Sequence, residues 1–332
     1  MARVFVLWDE SHLWGVLVLR ALRALGLPHV ILRAHDIAEG ALAGKPAAFG
    51  RFMGEAATSN PSDTPAQLDA PALLPALLIV PGGLARARAE RLGPGGRQAI
   101  RDFVAAGGSY LGFCGGAGLA LTSPRAGDSL GLCPWGRMGF AGRLQHFLSG
   151  HVRLGLDTAQ QLALPDTREL LAPVWWPAQF APTKGDMRVQ QGDVRVQQGD
   201  VRVLARYAGL GQDFWVADLN LALLPEETLS DWENLYGLQI RPDFLTGRPA
   251  VISGTYGQGR YVLSYPHLET PDSAQANAWF AHLLRELTNG VTGGLPHYPA
   301  GAGTVGAGTV GAHGPAPSPS EASAGLIPPW HV

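Results

Sequence analysis

Ala76 to Val80 reads ALLIV, five apolar residues in unbroken succession, closed by Pro81-Gly82-Gly83. The run is too short for an ordinary helix, and its lack of alternation leaves neither face for water. Such a segment belongs at the centre of a parallel sheet covered by helices on both sides. Its surroundings agree. Arg3 to Trp8 (RVFVLW) predicts a strand. Ser11 then caps a helix carrying Leu13, Leu17, Leu19, Leu22 and Leu25, which stops at Gly26 and Pro28. His29 to Leu32 predicts a second strand, so the chain opens strand–helix–strand. Downstream, Glu90 to Ala106 has helical periodicity and ends at Gly107-Gly108, Ser109 to Phe113 (SYLGF) predicts a strand, and Gly115 to Leu121 opens a helix. An α/β fold follows, with a mostly parallel sheet and helices on both faces.

The remaining chain is less regular. Residues 34 to 73 are rich in Ala, Pro, Ser, Thr and Gly and predict an irregular excursion with a short helix around Phe49 to Ala57. Between 122 and 230 only short strands are predicted, at Val174–Trp176, Val201–Tyr207 and Phe214–Asp218. Residues 187 to 203 contain a seven-residue repeat, MRVQQGD, VRVQQGD, VRV. An odd period flips the inward face of a strand at each copy, so the repeat reads as a duplication in a surface hairpin. Ala250 to Thr255 and Arg260 to Ser264 predict two strands joined by Tyr-Gly-Gln-Gly, and Asp272 or Ser273 caps a last helix through Leu287. From Asn289 the chain turns to Gly, Ala, Pro, Ser and Thr with GAGTV twice, a composition expected to stay disordered.

Composition excludes several classes of function. The 332 residues carry 25 Lys+Arg against 27 Asp+Glu, a net charge of −2, so there is no basic footprint for nucleic acid. No apolar run approaches twenty residues, which argues against a membrane span, and acidic residues within the first ten do not fit a secretory signal. Two cysteines, Cys114 and Cys133, make neither a disulfide framework nor a zinc site. The two lysines, Lys45 and Lys184, are not followed by Ser or Thr, so no phosphate loop exists. A cytoplasmic protein acting on a small molecule, without cofactor or metal, is expected.

Three motifs carry chemistry. Gly112-Phe113-Cys114-Gly115-Gly116 sets a thiol between a strand and a helix, flanked by glycines. A nucleophile elbow has this form, and a helix start behind the thiol favours its thiolate. The alternative is a plain buried cysteine in a Gly-rich turn. His267-Leu268-Glu269, if extended, points both polar side chains to one side, the imidazole facing Cys114 and the carboxylate holding its far nitrogen. The alternative is a loop histidine beside a surface glutamate. Pro81-Gly82-Gly83 follows a buried strand, where its amides could join that of Gly115 in an oxyanion hole; alone it is only a turn. All three fall at predicted strand ends, where open α/β sheets bind ligands.

These motifs, in this order, resemble the class I glutamine amidotransferase fold. GGSYLGFCGGAGLA and AVISGTYGQGRYVLSYPHLETP resemble more closely the N-terminal amidotransferase-like domain of biotin–protein ligases, with PVWWPAQF at 173 to 180 as a further matching block. The resemblance covers about residues 3 to 288. It implies a flavodoxin-like three-layer α/β fold with a β-rich insertion: a domain at 1–290, irregular or inserted at 34–73 and 122–230, and a tail at 291–332. It implies Cys114 as nucleophile, His267 as base, Glu269 as its orienting partner, and Gly82, Gly83 and Gly115 around the oxyanion. Two departures matter. Gly118 stands where glutaminases of this fold carry the Gln that helps bind glutamine, and the sequence has no Gly-Arg-Gly-Arg or Lys-Trp-Pro stretch of a ligase half. A cysteine hydrolase acting on a carboxamide or related acyl group is therefore expected, rather than biotin transfer. The alternative is a non-catalytic ligand-binding or regulatory subunit that partners a separate ATP-dependent ligase or synthetase.

Five residues complete the reading. Asp9 and Glu10, at the first strand end, either assist the thiol or lie in a solvated loop. Of Trp175 and Trp176, at most one lines the pocket, because neighbours in a strand face opposite ways. Cys133 is expected to be a plain buried thiol.

Overall fold

The computed structural model describes residues 4–43, 77–123, 125, 127–138, 147–164, 169–183, 201–237, 240–242, 245–271 and 273–288. The strands are β1 (Val4–Leu7), β2 (His29–Leu32), β3 (Leu77–Val80), β4 (Ser109–Phe113), β5 (Gly136–Met138), β6 (Leu148–Leu156), β7 (Glu169–Trp175), β8 (Gln179–Ala181), β9 (Arg202–Leu210), β10 (Trp215–Val216), β11 (Leu219–Asn220), β12 (Pro249–Tyr256) and β13 (Gly259–Ser264). The helices are α1 (His12–Ala24), α2 (Ala34–Ala38), α3 (Ala85–Ala105), α4 (Gly115–Ala120), α5 (Thr158–Ala163), α6 (Glu226–Tyr236) and α7 (Ala274–Leu287).

The main sheet runs β11-β10-β6-β9-β12-β13-β4-β3-β1-β2, with β7 on the other edge of β6. Its pairs from β2 through β1, β3 and β4 to β13 are parallel. Beyond β13 all pairs are antiparallel. The parallel half is buried on both faces, as its sequences require. Val4, Val6, Leu77, Ile79, Leu111 and Phe113 pack with Val18 and Leu22 of α1 and Trp279 and Leu284 of α7. Phe5, Leu7, Leu78, Val80 and Tyr110 face the other way, against Ile37 of α2, Leu92, Ile100 and Val104 of α3 and Leu119 of α4. The alternation of Cβ along each strand thus divides one apolar run between two cores.

Several boundaries differ from expectation. Ser11 precedes α1 but its hydroxyl donates to the Leu7 carbonyl (2.9 Å) rather than capping the helix. The start of the 34–73 excursion is ordered as α2. α3 begins at Ala85, five residues earlier than the periodicity suggests, and breaks at Gly93 (φ 61°) before Pro94. α3 is thus two helical segments joined by a kink at Gly93. The largest omission is β6, whose Gly150 (φ 121°) and Gly155 obscure a strand with Leu148, Val152, Leu154 and Leu156 buried. α6 is likewise not predicted by the sequence pattern, although Gly237 (φ 59°) closes it in the left-handed conformation glycine favours. The Phe49–Ala57 helix, most of the heptad repeat and the tail from Asn289 lie outside the described residues. Among the described residues no helix is long and apolar enough to cross a membrane.

Candidate active site

The C-terminal ends of β1, β3, β4 and β13 open on one side, as four parallel strands must. β3 runs into Pro81-Gly82-Gly83, β4 into Cys114, and β13 into the loop bearing His267 and Glu269. The three sequence motifs therefore meet at one crevice.

Cys114 sits between β4 and α4 with φ 47° and ψ −109°, a strained conformation for a non-glycine residue. Its amide donates to the Ser264 carbonyl (2.7 Å), and its carbonyl accepts from Gly118 (2.9 Å), so both neighbouring elements hold the turn. The glycines are steric requirements. A Cβ at Gly115 would overlap the Gly83 carbonyl, one at Gly116 the Val80 carbonyl, and one at Gly112 would lie 2.7 Å from the Gly116 carbonyl oxygen. The elbow and the Pro81–Gly83 turn are thus in backbone contact.

His267 and Glu269 are buried, 0% and 2% exposed. Nδ1 of His267 lies 2.8 Å from Oε1 of Glu269. The stretch is a turn rather than the extended segment assumed from sequence, and Leu268 between them enters the core. The turn is tied down from three sides. The His267 amide donates to Pro173 of β7 (2.8 Å), Thr270 Oγ1 donates to the His267 carbonyl (3.0 Å), and Asn277 Nδ2 of α7 donates to the carbonyls of Leu268 (2.7 Å) and Thr270 (2.6 Å). Pro173 opens the PVWWPAQF block, but nothing in the sequence shows that it holds this turn, and Asn277 carries no sequence signal; both come from elements outside the His-x-Glu motif.

Burial pushes the Cys114 thiol up, but the neighbouring His267 imidazole and the Gly115 amide outweigh it, and the pKa is lowered. Burial also opposes the charged imidazole, yet the Glu269 carboxylate and the Cys114 sulfur raise His267 to about 9. Both shifts favour the charged form of their group, and they are coupled to each other. In its thiol form Sγ donates to the Trp175 carbonyl at 3.7 Å.

Aromatic rings wall the crevice. Trp14 of α1 stacks on His267, and Trp175 meets Trp14 edge-on at 6.2 Å and Phe147 at 4.6 Å. Trp176 turns outward, 54% exposed at φ 55°, so one of the adjacent pair faces the site. Trp14 went unnoticed in the sequence because an exposed helix face and a crevice wall look alike in a helical pattern.

The other candidates lie elsewhere. Asp9 is bound to Arg33 (3.2 Å) and the Ala34 amide, and Glu10 to Arg91 (2.9 Å). Both are held in ion pairs or hydrogen bonds at the end of β1 rather than lying in a solvated loop. Cys133 is fully buried, and burial raises its pKa. Among the described residues no group of three His, Cys, Asp or Glu side chains converges to hold a metal.

Residues 70–123 match the family described as biotin-protein ligase, N terminal. The match takes in the Pro81–Gly83 turn and Cys114 but stops far short of His267. No curated protein matches the chain. Among solved structures the chain is similar to PurLQS from Thermotoga maritima, at 15% identity over 86% of this chain and 99% of that one, with TM-score 0.46. A candidate GMP synthase component from Thermoplasma acidophilum aligns at 13% identity over 87% of this chain and 95% of that one, with TM-score 0.41. A beta-galactosidase from Bacillus circulans sp. alkalophilus aligns at 9% identity over 87% of this chain and 31% of that one, with TM-score 0.46.

Proposed function

We propose that the chain is an amidotransferase-like cysteine hydrolase, with Cys114 as nucleophile, His267 as acid and base, and Glu269 as the carboxylate that orients and charges the imidazole. The observation that carries this reading is the 2.8 Å His267–Glu269 contact in a buried turn whose imidazole lowers the Cys114 pKa. A structural histidine needs no such coupling to a strained, partly exposed cysteine.

The thiolate attacks the carbonyl carbon of a carboxamide or related acyl group. The carbonyl electrons move onto oxygen, which the amides of Gly83 and Gly115 stabilise. The imidazolium gives its proton to the departing amine, the C–N bond breaks and a thioester remains. Water then attacks, losing a proton to His267, and the acid leaves as the thiolate reforms. Glutamine is disfavoured as the substrate, because Gly118 offers no side chain at the position where the resembling glutaminases place one. If the released amine is ammonia, a separate ATP-dependent ligase or synthetase would consume it.

The test is amide hydrolysis by the purified protein beside Cys114→Ala, with iodoacetamide labelling at neutral pH. Ammonia release from glutamine that disappears in the variant establishes a glutaminase despite Gly118. Fast labelling of Cys114 without ammonia establishes an activated thiol with another substrate. No release, and labelling no faster than a free cysteine, sinks the proposal and leaves the alternative of a non-catalytic binding partner.

A further inference from the structure

Among the described residues Arg88 is the only fully buried arginine, and the chemistry above gives it no task. It lies on α3, one turn past the Pro81–Gly83 turn. Its Nε donates to the Asp9 carbonyl and its Nη1 to the Pro81 carbonyl, each at 3.0 Å. Its Nη2 reaches the carbonyls of Glu10 and Gly82 at 3.0 Å and the Ser11 hydroxyl at 3.1 Å. Every acceptor is neutral. The nearby carboxylates of Asp9 and Glu10 are engaged by Arg33 and Arg91 instead. A buried guanidinium without a carboxylate partner is costly, so a simple structural pin would be better made from neutral groups.

The five acceptors belong to two loops, the one after β1 and the one after β3. Gly83, at φ 129°, rests directly on the Glu10 carbonyl, and a Cβ there would overlap that oxygen. The Gly83 carbonyl lies against Gly115. Arg88 therefore fixes the β1 loop, the β1 loop supports Gly83, and Gly83 abuts the elbow. The planar fork of arginine can bridge both loops at once; an ammonium cannot reproduce that geometry.

We infer that Arg88 is a positioning residue for the oxyanion turn: its guanidinium clamps the ends of β1 and β3 so that the Gly83 amide is aimed at the carbon-bound oxygen of an acyl group on Cys114. This rests on the nucleophile reading of Cys114. It adds a residue that touches neither the substrate nor the thiol.

The test separates two reactions of the same thiol. Acylation by p-nitrophenyl acetate passes through an oxyanion, whereas alkylation by iodoacetamide does not. In Arg88→Lys we expect acylation to fall about a hundredfold, the scale for a misplaced reacting geometry. Alkylation of Cys114 should stay within about twofold of wild type, because His267 and Glu269 are untouched. Arg88→Met, which also removes the charge, should lose acylation to a similar extent. Cys133, buried in the native fold, reports folding by remaining unlabelled. A folded Arg88→Lys that acylates at the wild-type rate, or that loses both reactions equally, overturns the inference alone. Failure of both variants to fold overturns it too, since Arg88 is then a fold determinant. A wild-type Cys114 that alkylates no faster than free cysteine overturns the nucleophile reading, and this inference with it.

Discussion

The indole of Trp14 lies flat on the imidazole of His267, ring centroids 3.6 Å apart and planes 14° apart. The two rings close on Gly82, where a Cβ would approach His267 Cε1 to 2.7 Å and Trp14 Cγ to 2.8 Å. A cation over an indole face is stabilised, and the gain is larger where water is excluded. Replacing Trp14 with Leu should therefore lower the His267 pKa from about 9 by about one unit. Imidazole titration by NMR reads this directly; an unchanged midpoint would show that the stack is packing alone.

Glu269→Gln should have a larger effect on the same group. The carboxylate is the strongest influence raising His267, and its loss leaves a buried imidazole that resists protonation. Hydrolysis should fall by about two to four orders of magnitude, as expected when general acid–base catalysis is lost. Iodoacetamide labelling at pH 7 should slow as well, because the Cys114 thiolate loses its counter-charge. Retention of both rates would remove Glu269 from the site.

The pH dependence follows from the two shifts. Activity should rise as the thiol ionises, below the ordinary cysteine range, and fall as His267 loses its proton near pH 9. The two shifts act on stability with opposite sign. The folded His267 pKa exceeds the unfolded value of about 6.5, so its contribution is complete below that pH and lost as pH rises through about 9, whereas the lowered Cys114 pKa contributes stability that grows as pH rises toward the ordinary cysteine range. Denaturant midpoints of Cys114→Ser, in which the thiol is gone, should therefore decline between pH 7 and pH 10 more steeply than those of the wild type.

Two glycines of α4 should respond oppositely to substitution. Gly118 has open space, its Cβ meeting only the Ala85 Cβ at 3.6 Å, so Gly118→Gln should fold and gain about 0.5–1 kcal/mol from helix propensity. Gly115→Ala drives a methyl into the Gly83 carbonyl and should disrupt the elbow and abolish activity. Thermal unfolding and Cys114 labelling measure both; a stable, reactive Gly115→Ala would contradict the backbone contact between the elbow and the Pro81–Gly83 turn.

Asn277→Ala removes two hydrogen bonds to the turn carrying His267 and Glu269 and leaves the Leu268 carbonyl without its side-chain donor. A stability loss of about 1–3 kcal/mol is expected, the scale for a buried polar group left unsatisfied. Hydrolysis should fall more than stability alone would cause, seen as a lower kcat on protein that remains folded by circular dichroism.

The parallel half of the fold was legible because each strand advertises itself. ALLIV, SYLGF and the run after Arg3 are apolar without alternation, and only a sheet covered on both faces tolerates that. The antiparallel half was not. β6 contains glycines, one of them packed closely against Asp213, and a glycine in a sequence reads as a break. Arg88 was invisible for a related reason: in LARARAERLG three arginines stand among alanines, and nothing local tells a solvated arginine from one that must be buried.

The sequence by itself determined the parallel core, the elbow around Cys114, and the pairing of a histidine with a glutamate two residues on. Those features depend on neighbours along the chain: periodicity, glycine at crowded turns, and the order of strands and helices. Only the tertiary structure decided that Trp14 lies on His267, that Pro173 and Asn277 fix its turn, and that Arg88 joins two loops beneath Gly83. These contacts link residues from about ten to more than two hundred and fifty positions apart. Their partners are chosen by how strands are ordered in the sheet, and no local pattern of residue types encodes that choice.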